Sequence, residues 1–429
     1  MAEQVVRILP DSTGKRVRVV EVTRNALQVE QQVVCIANER GDILPTSELM
    51  SEFGLMRVAA PITLFDGKFL SDKQPLFWDE TLVGGGTVTY DAAHSHVELA
   101  VTGGVDSAVM QTHMRFNYQA GKSQLIMMSG LFSQQANVRK RVGYFDGITG
   151  LFLEVTGTGI SMNIMNAAAV TETAAQAAWN LDPLDGTGPS GVTLDLDATQ
   201  ILIIDFQWLG TGRVRFGFII GGRIVYVHAF DHANVAGNAF AYMLSPNLPL
   251  RYDVLSSGGA GSAIQICSTV VVEGGSTDRG LTYSVDMGVT PLTLPASGVQ
   301  ALIAVRLKAG RAATVVPDGM NLLTTTVNAN IRWEMRMNPV VAGTALVWVG
   351  VDDTSIEVAY GVATNLVTGG FQGSSGYLSS QVRLAETKLN PSLLLGTAFF
   401  GTQDVLILSA QAVAGTPNVL AELSFREIL

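Results

Sequence analysis

The chain has 429 residues, enough for more than one hydrophobic core, with 45 glycines and only 15% charged residues. Acidic side chains outnumber basic ones by 37 to 27, giving a formal net charge of -10, which argues against the cationic footprint that nucleic-acid phosphates require. The two cysteines, Cys35 and Cys267, lie in unrelated segments, so neither a zinc site nor a disulfide framework is indicated; both are expected reduced and buried.

The N-terminal MAEQVVRILPDSTGKRVRVV is interrupted by charges and lacks the apolar run of an export signal, so cytosolic synthesis is expected. Residues 1–60 combine strand-like VRVVEV, apolar VVCIA and a helix-compatible stretch at 46–56, TSELMSEFGLM, with Thr46 and Ser47 as caps. This region reads as an arm or attachment segment. From about residue 61 the pattern changes to short runs of period two separated by glycine, among them TVTYD, HVELAV, SQLIMMSGLF and GLFLEVTG, which predict a β-domain over 61–275.

Within it, His94 and His96 project from one face of a strand, where symmetry-related chains could share a metal; histidines without metal are the expectation. AGKS at 120–123 ends like a phosphate-binding loop, but Phe116 stands where that motif needs glycine. Arg139, Lys140 and Arg141 read as a solvated strand end. The alanine-rich stretch 167–178 suits three helical turns or a long connection of small residues.

Gly186, Gly188 and Gly191 in DGTGPSG satisfy the spacing G-x-G-x-x-G, and Asp205 ends the apolar run ILIID. Yet Pro189 interrupts the motif, and the ten residues GVTLDLDATQ, alternating like a strand, cannot supply the crossover helix of a dinucleotide-binding fold. A structured turn is the better reading. A calcium loop using Asp182 and Asp185 lacks the full acidic pattern.

Residues 201–230 predict three adjacent antiparallel strands. Leu202, Ile204, Phe206 and Trp208 share a face of the first; Val214, Phe216, Phe218 and Ile220 of the second; Ile224, Tyr226, His228 and Phe230 of the third. Gly221 and Gly222 fit a two-residue hairpin loop. His228 and His232 span a strand end and a turn, which predicts packing or hydrogen bonding rather than metal ligation. Uncharged stretches at 254–272 and 287–305 are broken by Gly, Ser or Pro, so no membrane span is read.

EGGSTDRG at 273–280 predicts a linker, and seven strand-length runs beyond it predict a second sandwich over 276–429. There Ile331, Trp333, Met335 and Met337 oppose a charged stripe of Arg332, Glu334 and Arg336, read as a solvated face or a subunit contact. No G-x-S-x-G elbow occurs, and Glu154, Asp195, Asp197 and Asp205 are expected on solvent faces of strands. The expected fold class is all-β: two antiparallel β-sandwich domains behind an N-terminal arm. No catalytic residue, cofactor or metal ligand is assigned.

YFDGITGLFLEV, WNLDPLDGTGPSGVTLDL, IDFQWLGTGRVRFGF, YVHAFDHAN and SPNLPLRYDV together form a block that resembles virion structural proteins of tailed bacteriophages. The resemblance is most specific over residues 140–255 and extends more diffusely over 60–429; residues 1–60 do not share it. Trp179, Asp182, Asp185, Gly186, Gly188, Trp208 and Arg215 carry the signature. It implies jelly-roll-like domains in a non-enzymatic structural protein, made in the host cytoplasm and carried in the virion. It further implies a homo-oligomer, expected as a trimer, in contact with capsid or tail proteins; from the charge and the broken apolar stretches, neither nucleic-acid binding nor membrane insertion is expected. The alternative is a receptor-binding fibre or spike module that contacts host surface glycans, with Trp179, Asp182 and Asp185 as the candidate glycan-binding residues, against a buried Trp179 that anchors the turn.

Overall fold

Alternation of apolar and polar residues lets each strand bury one side, and Gln124–Leu131 does so along its whole length, QLIMMSGL alternating buried and half-buried positions. The structure is a computed structural model describing residues 60–274, 280–311, 313–379 and 403–428, residue 395, and the backbone of strands at 3–7, 16–24, 27–32, 314 and 384–388. Two units compose it, residues 1–60 and 61–429. In the first, β1 (Glu3–Arg7), β2 (Arg16–Arg24) and β3 (Leu27–Gln32) form an antiparallel sheet. Cys35 and the helix expected at 46–56 lie outside the described residues.

The second unit begins with fifteen strands. These are β4 (Pro61–Lys68), β5 (Trp78–Val83), β6 (Thr87–Asp91), β7 (His96–Val101), β8 (Ser107–Thr112), β9 (Gln124–Leu131), β10 (Val138–Phe145) and β11 (Gly150–Thr156), followed by β12 (Gly159–Asn166), β13 (Ala169–Ala175), β14 (Gln200–Phe206), β15 (Val214–Ile220), β16 (Arg223–Phe230), β17 (Leu250–Ser256) and β18 (Gly261–Glu273). One sheet runs β13-β12-β11-β10-β17-β8-β5 and the other β16-β15-β14-β9-β18-β7-β6, with β4 also on β18. Their inner faces share one core that includes Val97, Met110, Ile126, Tyr144, Leu153, Ile204, Phe216 and Tyr252.

Beyond residue 279, a five-stranded sheet orders Gly280–Asp286, Asn418–Ile428, Thr314–Thr324 and Leu384–Lys388, with Leu292–Thr293 also on Asn418–Ile428. An eight-stranded sheet is centred on Gln300–Leu307, Val405–Ala414 and Asn330–Met337. Their core contains Leu302, Val305, Ile331, Trp333, Met335, Leu408, Leu423 and Phe425. Among the described residues all the strand pairings are antiparallel, and the protein is an all-β assembly of jelly-roll-like sandwiches.

Several sequence expectations are corrected by local geometry. The alanine-rich stretch is neither helical nor a long connection: Ala167 and Ala168 take positive φ of 51° and 63°, and the chain folds straight back as β13, with a single 3-10 turn at Gln176–Ala178. GVTLDLDAT, residues 191–199, is not a strand; apart from a bridge between Asp185 and Thr193 it is a loop, laying Val192, Leu194 and Leu196 against the core and leaving Asp195 and Asp197 exposed. Along β16 a register shift opposite Phe216 and Gly217 turns Val225 and Val227 to the core in place of Ile224 and Tyr226. A similar shift between Gln265 and Cys267 leaves Cys267 exposed rather than buried. Arg139, Lys140 and Arg141 lie inside β10 and not at a solvated end; Lys140 is buried, its Nζ donates to the Ser133 carbonyl, and burial pushes its pKa down to about 8.

Candidate functional site

The loop that raised the nucleotide question is a self-contained turn. Asp182 accepts the Leu184 N–H on Oδ1 at 3.0 Å and the Ser190 N–H on Oδ2 at 2.8 Å, while Asp185 Oδ1 accepts the Thr187 N–H and hydroxyl. Gly188 is required because a Cβ there would lie 2.1 Å from Asp182 Oδ1. Trp179 is buried against Phe218 and donates its indole N–H to the Ala174 carbonyl. Of the three candidate glycan residues, Trp179 and Asp182 are therefore buried and only Asp185 faces solvent.

Chemistry-bearing side chains gather instead on the face of the seven-stranded sheet turned away from its core. Cross-strand register aligns Asn163, Phe152, Gly143, Arg251, Gln111 and Asp79 in one row. The adjacent row is Ser161, Glu154, Arg141, Asp253, Val109 and Thr81. Gly143 creates the space between them, since a Cβ would meet the Leu151 carbonyl oxygen at 2.2 Å. Phe145 and Phe152 pack there with ring centroids 4.9 Å apart, and the Arg141 guanidinium lies over both rings at 5.2 and 5.4 Å.

Arg141 grips Asp253 with its Nε, 3.0 Å from each carboxylate oxygen, and its Nη2, 2.5 Å from Oδ2. Arg251 approaches the same carboxylate at 3.4 Å and donates to Gln111. Burial pushes the Asp253 pKa upward, but the two guanidiniums outweigh it and hold the group below the ordinary carboxylate range. Arg139 and Glu154 extend the band at 4.0 Å. The polar groups at its centre are buried, with Arg251, Asp253 and Gln111 at 5%, 3% and 3% exposure, and they bond one another. Elsewhere Asp91, Asp106, Asp185 and Asp231 are likewise held low by their hydrogen-bond partners.

The histidines separate by environment. His228 is buried against Phe230 and accepts the Asn180 N–H on Nδ1. His232 stacks on Tyr242 at 4.1 Å, with Nδ1 at the Gly212 carbonyl and Nε2 at Glu172. Both thus pack and hydrogen-bond, as their sequence context predicts. His94 and His96 do meet, and Asp91, unremarked in the sequence, joins them. Its signal was available: it opens the turn DAAHSH and pairs with His96 across β6 and β7. On the outer face of the other sheet, Asp205 accepts from Arg215 and from the Tyr226 hydroxyl. Lys122, in the segment resembling a phosphate loop, donates to Gln119 beside a turn.

No family model and no curated protein sequence matches the chain. Among solved structures it is similar to a protein of unknown function from Shewanella oneidensis MR-1, at 12% identity and a TM-score of 0.32, over 55% of this chain and 94% of that one. A Bacillus licheniformis beta-glucanase aligns at 11% identity and a TM-score of 0.32, over 49% of this chain and 98% of that one. A legume lectin-like domain from Entamoeba histolytica aligns at 7% identity and 0.31, over 51% and 100%.

Proposed function

We propose that this chain is a non-enzymatic structural protein of a tailed-bacteriophage virion, built into the capsid or tail surface as a symmetric homo-oligomer, a trimer, and attached through its N-terminal segment. What supports the reading is how the signature residues are used. The side chains of Trp179, Asp182 and Arg215 are committed to internal bonds, with Ala174, with Leu184 and Ser190, and with Asp205, while Trp208 packs its ring edge-on to Tyr118 and gives its backbone N–H to the Tyr118 hydroxyl. A signature of that kind specifies a sandwich, not a reaction. Antibody-gold labelling of purified particles of the source virus, imaged by electron microscopy, tests it: label on the head or tail is expected. Unlabelled particles with accessible epitopes would overturn it.

A second reading, a module that binds host surface glycans, keeps one exposed residue of its candidate set, Asp185. Binding of the oligomer on a glycan array and adsorption to whole cells are its expected results. A blank array together with no adsorption removes it.

A further inference from the structure

We propose that Asp91, His94 and His96 form a binding site for a divalent transition metal of the zinc class, at the tip of the β6–β7 hairpin. The turn brings the three together. Asp91 and His96 are the last facing pair of the ladder, and Ser95, at a φ of 51°, curls the chain so that His94 returns over Asp91. His94 Nδ1 lies 2.8 Å and His96 Nε2 lies 3.9 Å from the same oxygen, Asp91 Oδ2. One ligand atom from each residue falls within 4.8 Å of the others. Bonds of about 2.0–2.2 Å around a four-coordinate zinc place neighbouring ligand atoms about 3.4 Å apart, and the two observed separations straddle that value.

The donor set is two imidazoles and a carboxylate, which suits zinc better than the oxygen-seeking calcium or magnesium. Its orientation is fixed from behind. Asp91 Oδ1 accepts the Ala93 N–H at 2.7 Å, so Oδ2 alone is presented to the imidazoles. His96 is largely buried, whereas the His94 side chain is 72% exposed, so a fourth position is left to water.

The experiment is calorimetric titration of the full chain, stripped with a chelator, using ZnCl2, with Co2+ absorption as a readout of geometry. One Zn2+ per chain is expected, and His94→Ala and Asp91→Asn should each weaken binding at least about tenfold. The exposed position of His94 lets its substitution leave the fold intact, which thermal unfolding verifies; His96→Gln provides the second variant. Absence of saturable binding overturns the proposal. So does binding that survives His94→Ala but is lost in His232→Gln.

Discussion

At the scale of single residues, two histidines four positions apart have their pKa values moved in opposite directions. His228 Nδ1 accepts a backbone N–H, so that nitrogen carries no proton, and burial pushes its pKa down. His232 has an oxygen acceptor at each ring nitrogen, 2.6 Å to Gly212 and 3.0 Å to Glu172. Only the doubly protonated ring donates to both. Burial opposes that charge, yet the bonds to Glu172 and Gly212 outweigh it and raise the pKa. The raised value means that the His232–Glu172 pair stabilises fully below the unfolded value of about 6.5 and is lost as pH rises through the folded value. Glu172→Gln should therefore cost about 1–2 kcal/mol at pH 6, discounted because Glu172 is partly in water, and clearly less at pH 9. Urea denaturation at the two pH values measures the difference, and equal losses would contradict a charged His232.

At the scale of elements, the hairpin between β15 and β16 is fixed by its two glycines, at φ of 58° and 77°. Both positions are left-handed, the conformation that matches strand twist in a two-residue loop. Gly221→Val should lower stability by about 1–2 kcal/mol while Gly221→Asn costs less, since asparagine tolerates that region, and thermal denaturation of both variants checks the ranking. The glycines made this hairpin legible from sequence, and period two placed Leu202, Ile204, Phe206, Phe216 and Phe218 in the core. Bulges were not legible. One opposite Phe216 and Gly217 and one before Cys267 each reverse the inward face, and no residue type announces them, because an extra residue is tolerated wherever the partner strand yields. Lys140 failed for another reason: its stem fills an inward position of β10 while its ammonium reaches a carbonyl at the margin. At the candidate site, alternation sufficed to put His94 and His96 on one side. Asp91 belongs to the opposite strand, and only the closed turn brings it to them.

At the scale of the whole molecule, both sandwiches are closed in the same way. Residue Pro61 pairs with Glu273, joining the first strand of one sandwich to its last, and Gly280 pairs with Ile428 in the other. Each half thus begins and ends at one place in its own sheet, the geometry of a unit able to fold without its neighbour. The cores agree, since one draws on Phe65 through Val270 and the other on Val285 through Phe425, with no residue in common. Residues 61–274 expressed alone should therefore give a β-rich circular dichroism spectrum and one cooperative thermal transition. A fragment with strand signal but no cooperative melting would mean that the first sandwich depends on the rest of the chain for its packing. If the fragment also binds one Zn2+ as the full chain is expected to, the hairpin carrying Asp91, His94 and His96 needs nothing beyond its own sandwich to hold its shape.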